Sequence, residues 1–226
     1  MFTQKTPLTL LLTAALLLPG CQKAPQIDPA AKAAAEIERL AAILESPDRQ
    51  RWQMPERVIS ELKLKNGHTI ADIGAGTGYF ARRFAEKVAP NGLSVGYDIN
   101  QAMVEFMQRD ANQRNLVKNY KAHLIASRNP VLEANFYDVI FLCNTYQYIE
   151  NRAAYFKSLA GSLKKNGRIV VIDFTKLEKT DEESGEVPEN LVDKEIVKRE
   201  FKTAGLRLKR DLKFLPAQYF LEFARE

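Results

Sequence analysis

Glycines at 74, 76 and 78 stand between an apolar run that ends at Ile73 and a stretch, Tyr79–Val88, with helical spacing. A glycine at such a turn accepts a positive φ and lets another group lie close against the backbone. The rest of the chain repeats this alternation of strand and helix. His68–Ile73, Leu93–Tyr97, Tyr120–Ile125, Tyr137–Leu142 and Arg168–Phe174 read as strands. Helices are expected over Gln101–Arg109, capped by Asn100, and over Ala153–Leu163, closed by Lys164-Lys165-Asn166-Gly167. A further helix is expected over Asp193–Ala204, ending at Gly205. Near-continuous apolar strands alternating with helices imply an α/β fold, a parallel sheet covered on both faces. Two strands close the chain, Leu206–Phe214 and Gln218–Phe223. The link Leu215-Pro216-Ala217 is too short for a parallel crossover, so these two pair antiparallel. Residues 176–190 read as a polar loop.

Composition narrows the classes. Apolar residues make up 46% of the 226 and charged residues 27%, values of an ordinary globular chain. Thirty-three Lys and Arg against 28 Asp and Glu give +5, too mild an excess to indicate nucleic acid as a partner. With two histidines and two cysteines, a zinc site built by the protein alone is not expected.

The N-terminus departs from that average. Leu8–Leu18 holds nine apolar residues and two Thr, then stops at Pro19-Gly20-Cys21. A membrane-spanning helix needs about 20 apolar residues. A short greasy run behind a single charge, Lys5, has the layout of a secretory signal peptide. Leu18-Pro19-Gly20-Cys21 resembles the lipobox of bacterial lipoproteins, with Pro19 where a small or β-branched residue is more usual. The resemblance implies cleavage after residue 20, acylation of Cys21 and a lipid anchor in the cell envelope. Gln22 behind the cysteine favours the outer membrane in a cell with two membranes. Residues 22–29 then read as a tether, residues 30–45 as an amphipathic helix, and Pro55–Leu62 as a further helix. The expected division is 1–20 signal peptide, 21–50 lipidated cysteine, linker and helix, and 51–226 a single domain.

Two acids flank the glycines. Asp72 lies two residues before the first, and Asp98 ends the next strand. A dinucleotide turn has the spacing G-x-G-x-x-G, whereas here it is G-x-G-x-G. A carboxylate at position 72 would repel a pyrophosphate but suits a cationic ligand. Asp98 is placed to accept hydrogen bonds from two ribose hydroxyls.

Asp72-Ile-Gly-Ala-Gly-Thr-Gly78 resembles motif I of class I S-adenosylmethionine-dependent methyltransferases, and Asp98 matches the acid at the end of their second strand. The similarity extends from about Arg51 to Phe223. It takes in Arg51-Trp-Gln-Met-Pro55, Leu163–Asp173 and the closing Phe214–Phe223. It implies a Rossmann-like, doubly wound, mostly parallel sheet of seven strands with a C-terminal antiparallel hairpin, and S-adenosyl-L-methionine as cofactor. Gly74, Gly76 and Gly78 would then lie against the methionine part of the cofactor and Asp72 near its ammonium group. Asp98 would hold the ribose and Ile99 would pack on adenine. Ser127 stands where the family usually has an Asp for the adenine amino group.

The loop after the fourth strand borders the transferring methyl in this family. It supplies Asn144, Tyr146 and Gln147 as catalytic candidates, with Asn144 also touching cofactor. Gln147 stands where relatives tend to have His, and Gln is no general base near neutral pH. Trp52 is a further candidate for the acceptor pocket. For all four a packing role stands beside the functional one. The expected function is thus a methyltransferase with an unidentified, small-molecule acceptor, anchored in the envelope. The alternative is a methyltransferase-like domain that binds cofactor, nucleoside or partner without turnover.

Overall fold

The computed structural model describes residues 28–175 and 190–226. The expected signal peptide, Cys21 and nearly all of the expected polar loop lie outside the described residues. The described residues begin with three helices, α1 (Pro29–Leu44), α2 (Arg49–Trp52) and α3 (Pro55–Glu61). Strand β1 (Thr69–Ile73), α4 (Ala81–Val88), β2 (Leu93–Asp98), α5 (Gln101–Gln113) and β3 (Tyr120–Leu124) follow. Then come β4 (Tyr137–Cys143), α6 (Arg152–Ser162), β5 (Leu163–Phe174), α7 (Lys194–Thr203), β6 (Leu206–Leu212) and β7 (Gln218–Arg225).

The strands form one seven-stranded sheet in the order β3-β2-β1-β4-β5-β7-β6. The first five are parallel, and β7 runs antiparallel to both β5 and β6. This is the doubly wound sheet with a C-terminal hairpin that the sequence leads one to expect. Side chains alternate between the two faces. Ile140, Leu142, Ile169 and Val171 meet Phe156 of α6 and Phe201 of α7 on one face. Val139, Phe141, Val170 and Ile172 meet Val58 of α3 and Phe84 of α4 on the other. Both faces are covered, which is why these strands are apolar throughout and not alternately polar. Asn100 caps α5 as expected, accepting from the Ala102 amide at 2.9 Å, and Asp193, expected inside the last helix, instead caps α7 by accepting from the Glu195 amide at 2.7 Å. Caps of this kind contribute about 1 kcal/mol each.

The structure corrects the sequence reading at one join. Leu163 to Gly167 do not close α6; they belong to β5, which starts directly at Leu163. Leu163 takes extended dihedrals and pairs with Tyr137. At Gly167 a Cβ would lie 2.7 Å from the Tyr137 carbonyl oxygen, so the missing side chain lets β5 come close to β4. The four-residue helix α2 was not expected, and α5 runs on to Gln113, beyond the expected end at Arg109.

Candidate active site

The sheet order reverses at β1, whose neighbours are β2 and β4. In open α/β sheets the crevice beyond the carboxyl ends of strands at such a point is where ligands bind. A cavity of about 300 Å³ lies there, walled by the ends of β1, β2 and β4 and by the N-terminal helices.

The loop after β1 is held in three left-handed residues, Gly74 (φ 71°), Gly76 (φ 56°) and Gly78 (φ 79°). The Gly74 and Ala75 amides both donate to the Tyr97 carbonyl, at 2.8 and 3.0 Å. What presses on these glycines is partly protein. A Cβ at Gly74 would meet Thr145 Oγ1 at 2.4 Å, and one at Gly76 would meet Leu44 Cδ1 at 3.0 Å. Gly74 and Gly76 line the cavity; Gly78 does not, and is packed beneath Tyr120 and Met107.

Asp98 has each carboxylate oxygen tied to a loop. Oδ2 accepts from the Gly76 amide at 2.8 Å and Oδ1 from the Asn100 amide at 2.9 Å. A carboxylate has about four lone-pair sites, so acceptor capacity remains toward the cavity it lines. Beside it Ile99 is 64% exposed, an apolar side chain at the cavity mouth, and the exposed Ser127 lies on the same wall.

Asp72 is 3% exposed. Burial pushes its carboxyl up to about 7; nearby Arg49 pulls it down, and Asp98 pushes it further up. An acid in this state is neutral in mildly acidic solution and takes a negative charge when a cation comes near.

Arg49, on α2, lines the same cavity and has no counterpart in the sequence reading. Its Nε donates to Gln53 Oε1 at 2.6 Å, and Nη1 donates to the Leu44 carbonyl. Gln53 is fully buried and its Nε2 lies 2.9 Å from Cys143 Sγ and 3.4 Å from Gln218 Oε1. Gln218 in turn donates to Asn144 Oδ1 at 2.5 Å. A polar chain thus runs from α2 beneath the cavity to the loop after β4. α1 contributes Leu40 and Leu44 to the cavity wall. It is fastened there by Glu45, which accepts from Thr77 Oγ1 at 2.5 Å and takes both terminal nitrogens of buried Arg82.

The candidates after β4 separate. Asn144 is left-handed (φ 56°) and lines the cavity. Tyr146 does not line it: its ring is fully buried, stacked 5.4 Å from Phe156, and its hydroxyl donates to Glu200. Gln147 does not line it either, and its amide oxygen and nitrogen are inaccessible and without a partner. The neighbour that does face the cavity is Tyr148, 69% exposed. Asp173, at the end of β5, sets this loop by accepting from the Tyr146 amide at 3.1 Å and the Phe174 amide at 2.9 Å; burial pushes its carboxyl up to about 6. Trp52 stacks on Phe174 at 5.5 Å, outside the cavity lining, and fixes α2 to the sheet.

A buried strand, a glycine loop and acids on two successive strands, at the reversal of a 3-2-1-4-5-7-6 sheet, define a nucleoside-binding α/β domain. The sequence profile described as a methyltransferase domain matches residues 64–205, and the chain belongs to that family. Among curated relatives, the ubiquinone/menaquinone biosynthesis C-methyltransferase of Coxiella burnetii is 27% identical over 126 residues, 56% of this chain and 50% of the relative. Its counterpart in Pseudomonas putida is 25% identical over 165 residues, 70% of this chain and 63% of the relative. The chain thus spans about half to two thirds of the curated relatives it matches. Among solved structures, a SAM-dependent methyltransferase from Aquifex aeolicus superposes with a TM-score of 0.74 at 24% identity, covering 88% of this chain and 98% of that one. The cyclase SpnF superposes with a TM-score of 0.65 at 16% identity, covering 80% and 85%. At these identities the likeness shows the fold, and the fold alone does not fix the reaction.

Proposed function

We propose that the protein is a methyltransferase that binds S-adenosyl-L-methionine in the cleft beyond β1, β2 and β4. The observation that carries this reading is the pair of carboxylates, on two successive strands, that border one glycine loop. Asp72, buried and held near 7, suits a cation and disfavours a pyrophosphate. Asp98, tied at both oxygens to backbone amides, suits a ribose diol. In this reading Gly74 and Gly76 lie against the methionine part, Ile99 packs on adenine, and Ser127 accepts from the adenine amino group. When bound, the cofactor supplies a methyl group activated by a sulfonium.

The chain's own part is alignment, which can contribute about 7–11 kcal/mol in displacement chemistry. Asn144, steadied by Gln218, and Tyr148 stand where an acceptor is oriented. Tyr146 and Gln147 support the loop. Calorimetric titration with S-adenosylmethionine, S-adenosylhomocysteine and NAD tests the reading. Both methionine-derived ligands should bind and NAD should not; binding of NAD alone sinks it.

A second reading has its own support. Neither histidine of the chain lines the cavity, and the superposition on a cyclase shows that this fold is not confined to methyl transfer. A domain that binds the cofactor and turns nothing over would titrate normally yet transfer no methyl group to any small-molecule acceptor offered. The envelope location is likewise proposed, on the resemblance of Leu18–Cys21 to a lipobox. Mass spectrometry of the native N-terminus checks it, and an intact Met1 with a free Cys21 overturns it.

A further inference from the structure

The two ends of the sheet differ in surface charge. The cleft opens at the carboxyl ends of the parallel strands. At the opposite end stand Lys63 and Lys65 ahead of β1, Lys87 in the last turn of α4, Lys118 ahead of β3, Lys165 at the start of β5 and Lys202 in the last turn of α7. All six are exposed, and among the described residues none forms an ion pair. The exposed acids at this end are fewer, Glu86, Glu133 and Glu226, while Glu61 and Asp138 are engaged by Arg210 and Lys164. The cleft end is different: Arg51, Arg128 and Lys194 pair there with Asp48, Glu150 and Asp211. Unpaired lysines gathered on one face raise a positive potential that draws the domain to an anionic surface.

The N-terminal segment arrives at the same end. Leu44, at the close of α1, packs against Gly76 in the cleft. From there α1 lies back along α5, where Ile37 and Ala41 share a groove with Phe106, Arg109 and Gln113. α5 leaves the carboxyl end of β2 and descends toward the start of β3. The first residues of α1 therefore lie toward the lysine-bearing end. Asp28, the first described residue, is seven residues from Cys21, a reach of at most about 25 Å. We propose that this end of the sheet is a docking face for an anionic lipid surface, and that it turns the mouth of the cleft away from the membrane. The proposal stands on the charge of the face and does not depend on what the cleft binds. An acyl anchor at Cys21, itself proposed, holds the domain within reach of the surface, and the lysines set which way it faces. A cleft so oriented receives its ligands from the aqueous side.

The test acetylates lysines on the natural protein as the cell makes it, mixed with vesicles of phosphatidylcholine alone or of equal parts phosphatidylcholine and phosphatidylglycerol. Neither lipid consumes the reagent, and peptide mass spectrometry reads each site. On the anionic vesicles the six lysines should react at least about threefold more slowly than on the neutral ones. Lys213, exposed at the carboxyl end of β6, should not change. The difference should vanish at about 1 M salt, where the Debye length is about 3 Å. A variant carrying Lys63→Glu, Lys65→Glu and Lys165→Glu should regain the faster rate at Lys87, Lys118 and Lys202. Thermal melts check its folding; should it melt early, the same three positions changed to Gln must restore part of the rate. Slowing at Lys213 in place of the six would set the cleft end against the lipid and overturn the proposal. So would equal rates on both kinds of vesicle, or slowing that survives high salt or the triple variant. Slowing by a DNA duplex and not by vesicles would make the partner a nucleic acid and overturn it too.

Discussion

Asp72→Asn should stabilise the ligand-free protein in alkaline solution and leave it little changed in acid. The natural side chain titrates at about 7 in the folded protein against an ordinary 3.8. At about 1.4 kcal/mol per unit this gap corresponds to about 4 kcal/mol. The folded state binds the Asp72 proton more tightly than the unfolded chain does. Stability from this group is therefore complete below about pH 4, declines as pH rises and is lost above about 7. Asparagine has no proton to lose, and its amide oxygen can still accept from the Ala81 amide that the carboxylate meets. Urea unfolding of both proteins at pH 4.5 and pH 8 reads the effect. Asp173, also raised, is present in both and cancels in the difference. The natural protein should lose about 3 kcal/mol more than the variant between the two pH values, since part of the gap is already spent at pH 4.5. Parallel losses would refute the reasoning. The same shift has a counterpart in binding. A ligand with an ammonium group should draw the carboxylate down and release close to one proton at pH 6, seen as a binding enthalpy that depends on the buffer in the natural protein and not in the variant.

Asp98→Ala should weaken S-adenosylhomocysteine binding at least tenfold by calorimetry; unchanged affinity would mean the ribose assignment is wrong. Gly78→Ala places a methyl 1.8 Å from Tyr120 Oη at a left-handed residue. It should cost about 1–2 kcal/mol for the backbone alone and more for the overlap, read as a fall in Tm. Adding Tyr120→Phe should recover part of that loss, because this hydroxyl has no partner among the described residues; no recovery would place the strain elsewhere. Glu45→Gln weakens the charged grip on Arg82, a contact of the class worth about 1.5–3 kcal/mol. Amides in the last turns of α1 should exchange at least tenfold faster by mass spectrometry, and unchanged protection would show that Leu40 and Leu44 hold the helix alone.

The sheet was legible because its strands are buried on both faces, so apolar runs such as Val139–Leu142 mark them without any need for periodicity. The antiparallel end followed from the short link before Gln218. The backbone part of the site was legible for a similar reason: only glycine tolerates three left-handed positions in five residues. Side-chain direction was not. Tyr146, Gln147 and Tyr148 form a single 3-10 turn, in which consecutive side chains point about 120° apart. Nothing in their order says that Tyr148 faces the cleft and Tyr146 the core. Arg49 was hidden for another reason. It sits in a four-residue helix, too short to carry a period, between two segments whose prolines draw attention to their own boundaries. Its importance comes from burial beside Asp72, a long-range fact.

The end of α1 has a bearing on how the molecule can be divided. A cut at Arg51 follows the bounds of the family resemblance and would part the N-terminal segment from the sheet domain. It would also strip away Leu40, Leu44, Glu45 and Arg49, four side chains that belong to the cleft wall or hold it closed. The fragment left behind would open Tyr79 and the Asp72 side of the cavity to water and leave Arg82 without its partner Glu45. The segment before Arg51 and the sheet domain are therefore not separable modules, and any transplant of this domain has to carry residues 28–50 with it.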